Sequence, residues 1–247
     1  MRRRLLKSML IVCVLALTAC GAKGDEQGKG NESGNLSNVQ SSDIGNGDSD
    51  DQNSAEEKED KGSNKKKKIS LETLDGYEVT PETEFEIKHI EGGVRILKYT
   101  GDSEVVVIPE TIGGEKVLSI AKAFYGKSGV KAVRIADTVE EIDTSFFQSS
   151  DLQYVKCGAG LKEIANASFG ESGLMEIELN EGLEIIGSIA FANCTNLKEI
   201  YIPESVTDIQ NTAFYGEYPE DFVIRGKAGS VAETYANEQG YKFEAVE

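Results

Sequence analysis

Among its 247 residues the chain has one histidine, His89, and four cysteines. Nucleophilic catalysis of the Ser-His or Cys-His kind needs an imidazole within reach of the nucleophile. His89 falls in a predicted N-terminal hairpin, far along the chain from Cys157 and Cys194, so no such arrangement is expected. Cys13 and Cys20 lie near the N-terminus, which leaves Cys157 and Cys194 for the folded part. That is too few for a disulfide framework, and their spacing fits no zinc site. Positive charge is also scarce: 26 basic residues stand against 43 acidic ones, a net charge of −17. Binding to nucleic acid or to an anionic membrane face is therefore not expected. The one long apolar run, Met9 to Leu17, is too short to cross a hydrocarbon layer of roughly 30 Å as a helix. No glycine-rich phosphate loop follows a strand, since Gly92-Gly93 and Gly113-Gly114 read as turns. No metal or cofactor is expected. Paired carboxylates acting on a glycan stay open, because the acidic residues are many and sequence does not report their separation.

The N-terminus carries Arg2, Arg3, Arg4 and Lys7 before the Met9–Leu17 run and small residues after it, the layout of an export leader over 1–19. The segment Leu17-Thr18-Ala19-Cys20-Gly21 resembles the bacterial lipobox. The resemblance implies cleavage before Cys20, lipidation of its thiol, and anchoring of the mature chain to the outer face of the cell membrane. Each buried CH₂ of an acyl chain contributes about 0.8 kcal/mol, and more than one chain is needed for stable anchoring. Residues 20–68 read as an acidic stalk. They consist largely of Gly, Asn, Ser, Asp, Glu and Lys, with too little apolar surface to offset the entropy of ordering. Within it Asp48, Asp50, Gln52 and Glu59 match some calcium-loop positions. Asn53 stands where that loop needs glycine and no amphipathic helix flanks it, so metal binding is not assigned. Lys65 to Lys68 close the stalk as a basic block, either solvated or in contact with anionic polymer.

From Ile69 onward the sequence repeats itself. Phe147, Phe169, Phe191 and Phe214 are separated by 22, 22 and 23 residues, and Ile135, Cys157, Leu179 and Ile202 by the same intervals. Two independent landmarks with one period define a structural repeat. Each unit has an apolar strand such as Leu174, Ile177 and Leu179, a second apolar pair such as Leu183 and Ile186, and a turn carrying the phenylalanine. A unit of this size cannot bury its apolar face alone; stacked units share one core.

These repeats resemble the BspA-type bacterial leucine-rich repeat, on Val107-Ile108-Pro109 with Ala123-Phe124, and on Ile200-Tyr201-Ile202-Pro203 with Val206-Thr207-Asp208-Ile209 and Ala213-Phe214. Ala136, Gly158 and Asn180 replace the proline in the middle repeats, and Ser145 and Ser168 precede their phenylalanines. The expected fold is mainly β: a leucine-rich-repeat solenoid of about five repeats over 105–221, each 22–23 residues long. Over 69–104, Phe85, Ile87, the Glu91-Gly92-Gly93 turn, Val94 and Ile96 form a hairpin cap. Over 222–247 a strand, a helix opened by the capping box Ser230-Val231-Ala232-Glu233 and ended by Gly240, and a second strand form the other cap.

In such a stack, equivalent exposed residues line up across one face. One column is Val107, Arg134, Lys156, Glu178 and Tyr201; the next is Val105, Ala132, Tyr154, Glu176 and Glu199. Arg134, Tyr154, Lys156, Glu176, Glu178, Glu199 and Tyr201 are the candidate ligand-binding residues, since tyrosine with mixed charge suits protein or glycan contact. The same face also reads as a solvated sheet with cross-strand pairs such as Lys156 and Glu178, worth well under about 1 kcal/mol each. The resemblance implies adhesion, with an extracellular protein or glycan as partner and the lipid as the only membrane contact. A hydrolase acting on cell-wall or host polymer, and a ligand-free spacer, are the other readings.

Overall fold

The computed structural model describes residues 68–147 and 151–246. The leader, Cys20, the Asp48–Glu59 segment and Lys65–Lys67 lie outside the described residues.

The described chain opens with a single helical turn, α1 (Leu71–Leu74), which the sequence reading did not include. A hairpin follows, β1 (Phe85–Ile90) and β2 (Gly93–Tyr99), paired antiparallel from Phe85↔Tyr99 to Ile90↔Gly93. After β3 (Val105–Val107), β4 (Thr111–Ile112) and β5 (Glu115–Ile120), the chain settles into units with two short strands each. These are β6 (Ala132–Arg134) with β7 (Glu141–Ile142), β8 (Tyr154–Lys156) with β9 (Glu163–Ile164), β10 (Glu176–Glu178) with β11 (Ile185–Ile186), and β12 (Glu199–Tyr201) with β13 (Asp208–Ile209). The C-terminal part comprises β14 (Val223–Lys227), α2 (Val231–Gln239) and β15 (Lys242–Val246).

First strands pair with first strands and second with second, all in parallel, so the chain winds as a solenoid. The order β10-β8-β6-β3 forms one sheet, β13-β11-β9 a second, and β12-β14-β15 continues at the C-terminal end. A third set of backbone hydrogen bonds joins the turns: Phe147 N–H donates to the Ser168 carbonyl at 2.7 Å, Phe169 to Ala190 at 2.8 Å, and Phe191 to Ala213 at 2.9 Å. Nearly every buried backbone polar group needs a partner, and here the neighbouring repeat supplies it on each side of the coil.

The interior is a set of columns, one residue per repeat. Val133, Val155, Ile177 and Ile200 form one, and Ile142, Ile164, Ile186 and Ile209 another, all buried. The phenylalanine column is the most regular. Phe124–Phe147, Phe147–Phe169, Phe169–Phe191 and Phe191–Phe214 stack with ring planes 14–18° apart and centroids 4.6, 6.4, 5.6 and 5.1 Å apart. Such pairs contribute about 0.5–1.5 kcal/mol each beyond burial.

Two departures from the repeat pattern have physical reasons. The residue beside the Phe147 column is Phe146, not Ser145; it is fully buried and edge-on to Phe124 and Phe147 at 5.4 and 4.8 Å. Ser145 instead takes the left-handed turn position, φ 60°, as do Ala167 at 57° and Ile189 at 50° one and two repeats on. That conformation costs a residue with a Cβ roughly 1–2 kcal/mol. The inter-turn hydrogen bonds offset it; Ser145, Ala167 and Ile189 each donate to the next repeat at 3.0–3.1 Å. At Gly158, where the repeat pattern calls for proline, an added Cβ falls 2.1 Å from the Ala136 carbonyl oxygen. No larger residue fits there without moving the backbone.

The two ends solve the same problem with side chains. Tyr99 extends the aromatic column, 5.5 Å from Phe124 and 5.6 Å from Phe85. At the far end Phe214 has no further repeat to pair with. Its N–H donates to the Tyr235 hydroxyl at 3.3 Å, and its carbonyl accepts from the Tyr241 hydroxyl. The Phe191 carbonyl likewise accepts from Tyr218. Burial pushes the Tyr241 phenol up to about 12, and raises Tyr218 and Tyr235 as well. At α2 the Ser230 hydroxyl accepts from Glu233 N–H at 3.4 Å, Glu233 reaches back to Gly229 N–H at 2.7 Å, and Gly240 closes the helix at φ 79°.

We predict that Phe169→Ala lowers unfolding free energy by about 3–5 kcal/mol, because it opens the middle of a continuous column. We also predict that Gly158→Ala costs about 1–3 kcal/mol through backbone overpacking. Gly182→Ala, whose nearest new contacts are 3.3–3.5 Å away, should stay within about 0.5 kcal/mol of the parent. Chemical denaturation of the three variants measures this; equal stability for the two glycine variants overturns the close-approach argument.

Candidate binding face

The two columns expected to be exposed are in register on the first sheet, but Val107 and Ala132 within them are buried. Val105, Ala132, Tyr154 and Glu176 follow one another across β3, β6, β8 and β10, and beside them run Val107, Arg134, Lys156 and Glu178. Glu199 and Tyr201 lie on β12, which pairs with β14 and not with β10 in the ladder. There Tyr201 faces Arg225, and Arg225 faces Glu244 on β15. The seven candidate residues thus occupy two adjoining sheets, four strands in all.

The face is not uniformly open. The segment containing α1 lies across β6, β8 and β10. Leu74 is fully buried there although it is not part of the solenoid interior. Asp75 at the end of this turn sits between two of the candidates, 3.2 Å from Arg134 Nε and 2.8 Å from Lys156 Nζ. Lys156 also reaches Glu178 at 3.4 Å, the cross-strand pair anticipated from sequence. Further along, Thr80 takes up the edge of β3: its N–H donates to the Val107 carbonyl at 3.0 Å and its hydroxyl accepts from Val107 N–H at 2.9 Å. The chain's own N-terminal strap therefore covers Ala132 and the upper parts of both columns.

The consequence is a division of the candidates. Arg134, Tyr154 and Lys156 are half-buried under or beside the strap, while Glu176, Glu178, Glu199 and Tyr201 are exposed. The Lys156 hydrogen bond holds the Asp75 carboxyl below its ordinary value, and Asp75 raises Lys156 in turn. Asp75 is about half exposed, so water screens much of this pairing. Burial first, and then Glu181, raise the Tyr201 phenol.

The strap and Arg225 are absent from the columns predicted from sequence. The local signal for the strap is the Ser70–Thr73 capping box that starts α1, with Ser70 N–H bonded to the Thr73 hydroxyl at 3.0 Å. Arg225 continues the Tyr201 column onto β14, at 3.5 Å from Glu199 and 3.7 Å from Glu244. Its Nε is buried with no hydrogen-bond partner among the described residues. His89 pairs with Glu115 at 2.9 Å on the exposed hairpin. Cys157 and Cys194 are buried free thiols, pushed up to about 12 by burial. Among the described residues no group of three or more His, Cys, Asp or Glu side chains is placed to hold a metal ion, and no helix is long and apolar enough to cross a membrane.

Parallel strand ladders coiled around one aromatic column, with a regular outer face of alternating residues, define a leucine-rich-repeat solenoid. Residues 116–237 match the family described as BspA type leucine rich repeat region, in six copies. The repeat region is therefore of the BspA leucine-rich-repeat type. Among solved structures it is similar to a leucine-rich repeat protein of T. pallidum, at 22% identity and a TM-score of 0.54, with 68% of this chain and 98% of that one covered. It is also similar to a leucine-rich repeat protein from Bacteroides ovatus, at 27% identity and a TM-score of 0.46, with 57% of this chain and 45% of that one covered. No curated protein matches.

We predict that Asp75→Ala loosens the strap without unfolding the solenoid. Amide exchange at residues 71–80 should accelerate by about an order of magnitude, with that of β8 and β10 unchanged. Because the Asp75 carboxyl is lowered in the fold, its contribution is complete above the ordinary carboxylate value of 3.8 and is lost as pH falls through the lowered value. Acid should therefore release the strap in the parent and change little in Asp75→Ala. Identical exchange in both proteins removes Asp75 as the anchor.

Proposed function

We propose that the chain is an exported surface lipoprotein, anchored through Cys20, whose solenoid binds an extracellular protein on the open half of its strand face. The observation that carries this reading is what the strap leaves open: it lies against β6, β8 and β10, yet Glu176 and Glu178 on β10 and Glu199 and Tyr201 on β12 stay exposed. Leucine-rich-repeat solenoids offer such rigid, regular faces as contact surfaces. Support for export and anchoring comes from the basic leader, its apolar run and the Thr18-Ala19-Cys20 sequence.

The chemistry of the open half selects among partners. Three glutamates on the candidate columns, Met175 at 43% exposure and Tyr201 at 38% form an acidic surface with apolar patches. It suits a polypeptide that brings Lys or Arg together with an aliphatic or aromatic side chain. Tyrosine at such a site supplies most of the contact energy, with the charges steering approach and register.

We predict that an extracellular protein bound by this chain loses at least about tenfold affinity on Tyr201→Ala or Glu178→Lys. Melting temperature should be unchanged, and binding should weaken as salt rises. Surface plasmon resonance with purified protein and a panel of extracellular proteins tests this. Full affinity in both variants moves the contact off the face. Export is checked separately: metabolic labelling with a palmitate analogue should mark the parent and not Cys20→Ser.

A further inference from the structure

At the N-terminal end of the array, away from the strand face, a concavity of about 550 Å³ opens between the end of β2 and the turn after β5. Its lining reverses the charge of the molecule. Lys98, Lys122 and Lys127 contribute to the wall and no aspartate or glutamate does, in a chain where acidic residues outnumber basic ones 43 to 26. Between the lysines stand two large apolar side chains exposed to solvent, Tyr125 at 59% and Leu97 at 41%. Tyr125 follows the column residue Phe124 and is exposed there as Tyr215, at 64%, is after Phe214; what distinguishes Tyr125 is its position between lysines.

The floor is rigid. Tyr99 is buried in the aromatic column, and its hydroxyl is fixed by Glu84 at 3.1 Å and by the Ser103 N–H at 3.1 Å. Lys127 Nζ lies over that ring, 5.2 Å from its centroid, which draws the ammonium toward the cavity. Lys98 pairs with Glu86 at 3.7 Å, with both side chains about 60% exposed. A pair that open is heavily screened and leaves the ammonium available to a second anion.

We propose that this concavity binds an acidic saccharide, a sugar ring bearing a carboxylate, sulfate or phosphate. Lysines act as point charges that accept any of these anions without the fork geometry arginine imposes. An exposed tyrosine ring presents a negative π-face, against which the C–H face of a pyranose packs. The volume is that of a small-ligand site, enough for one or two rings. An extended acidic peptide would pair with a free strand edge, and β2 has none: β1 holds one edge and β5 the other. This site is independent of the strand face, so the molecule would carry a glycan contact at one end and a protein contact along its side.

The test is isothermal titration of the purified full chain with oligogalacturonate, a heparin-derived tetrasaccharide and a glycerol-phosphate-bearing oligosaccharide, beside maltotetraose and poly-glutamate as controls. At least one of the three acidic saccharides binds, the neutral one does not, and poly-glutamate binds at least about tenfold more weakly. Tyr125→Ala and Lys122→Ala each weaken saccharide binding several-fold with melting temperature unchanged, since both side chains are exposed. Lys65 to Lys68 are intact in these variants, so a basic block acting alone predicts no loss. Tyr201→Ala and Glu178→Lys bind the saccharide like the parent, which separates this result from the fate of the strand face. The inference is overturned if none of the three acidic saccharides binds, if maltotetraose or poly-glutamate binds as well as they do, or if Tyr125→Ala leaves affinity unchanged.

Discussion

Everything in this molecule depends on one repeat supplying the hydrogen-bond partners and the apolar floor of the next. The strand ladders from repeat to repeat are parallel, inter-turn bonds run beside them, and the phenylalanines stack at the same interval. A parallel ladder has no local closure, so no unit is stable alone and the array is stable only as a stack. The same rule explains the ends. Tyr235 places its hydroxyl where a further repeat would have placed a carbonyl, Tyr241 caps the Phe214 carbonyl as Tyr218 caps that of Phe191, and the β1–β2 hairpin carries the aromatic column outward through Tyr99 and Phe85.

A rigid face made this way is a surface first, and its use is decided by what covers it. The strap holds itself on the ladder with one buried leucine and one carboxylate shared by Arg134 and Lys156. That contact converts a mixed-charge face into two regions: one neutralised internally, the other acidic and open. The basic concavity around Tyr125 adds a third surface of opposite sign at the end of the coil. Charge on this protein is therefore segregated by position, which a net charge of −17 conceals.

The repeat period, the buried columns and the register of the exposed ones were legible in the residues, because each repeat occupies the same environment and so demands the same side-chain types at the same spacing. The columns through Ala132, Tyr154 and Glu176, and through Arg134, Lys156 and Glu178, follow from that periodicity without coordinates. The aperiodic features did not follow. Phe146 takes a position where the neighbouring repeats hold Ala or Ser; the 22-residue spacing aligns it with Ser168, but its burial edge-on to Phe124 and Phe147 is a property of the folded stack.

Gly158 replaces a proline because the Ala136 carbonyl approaches it, a distance between repeats rather than a property of either. Asp75 meets Lys156 across 81 residues of chain, and a contact so remote leaves no trace in local pattern. The three lysines of the concavity come from two segments that only the coil brings together. Periodic burial is written into a chain by the spacing of its side chains. Which exposed groups end up covered, paired or gathered is set by where the folded backbone carries segments that share no period.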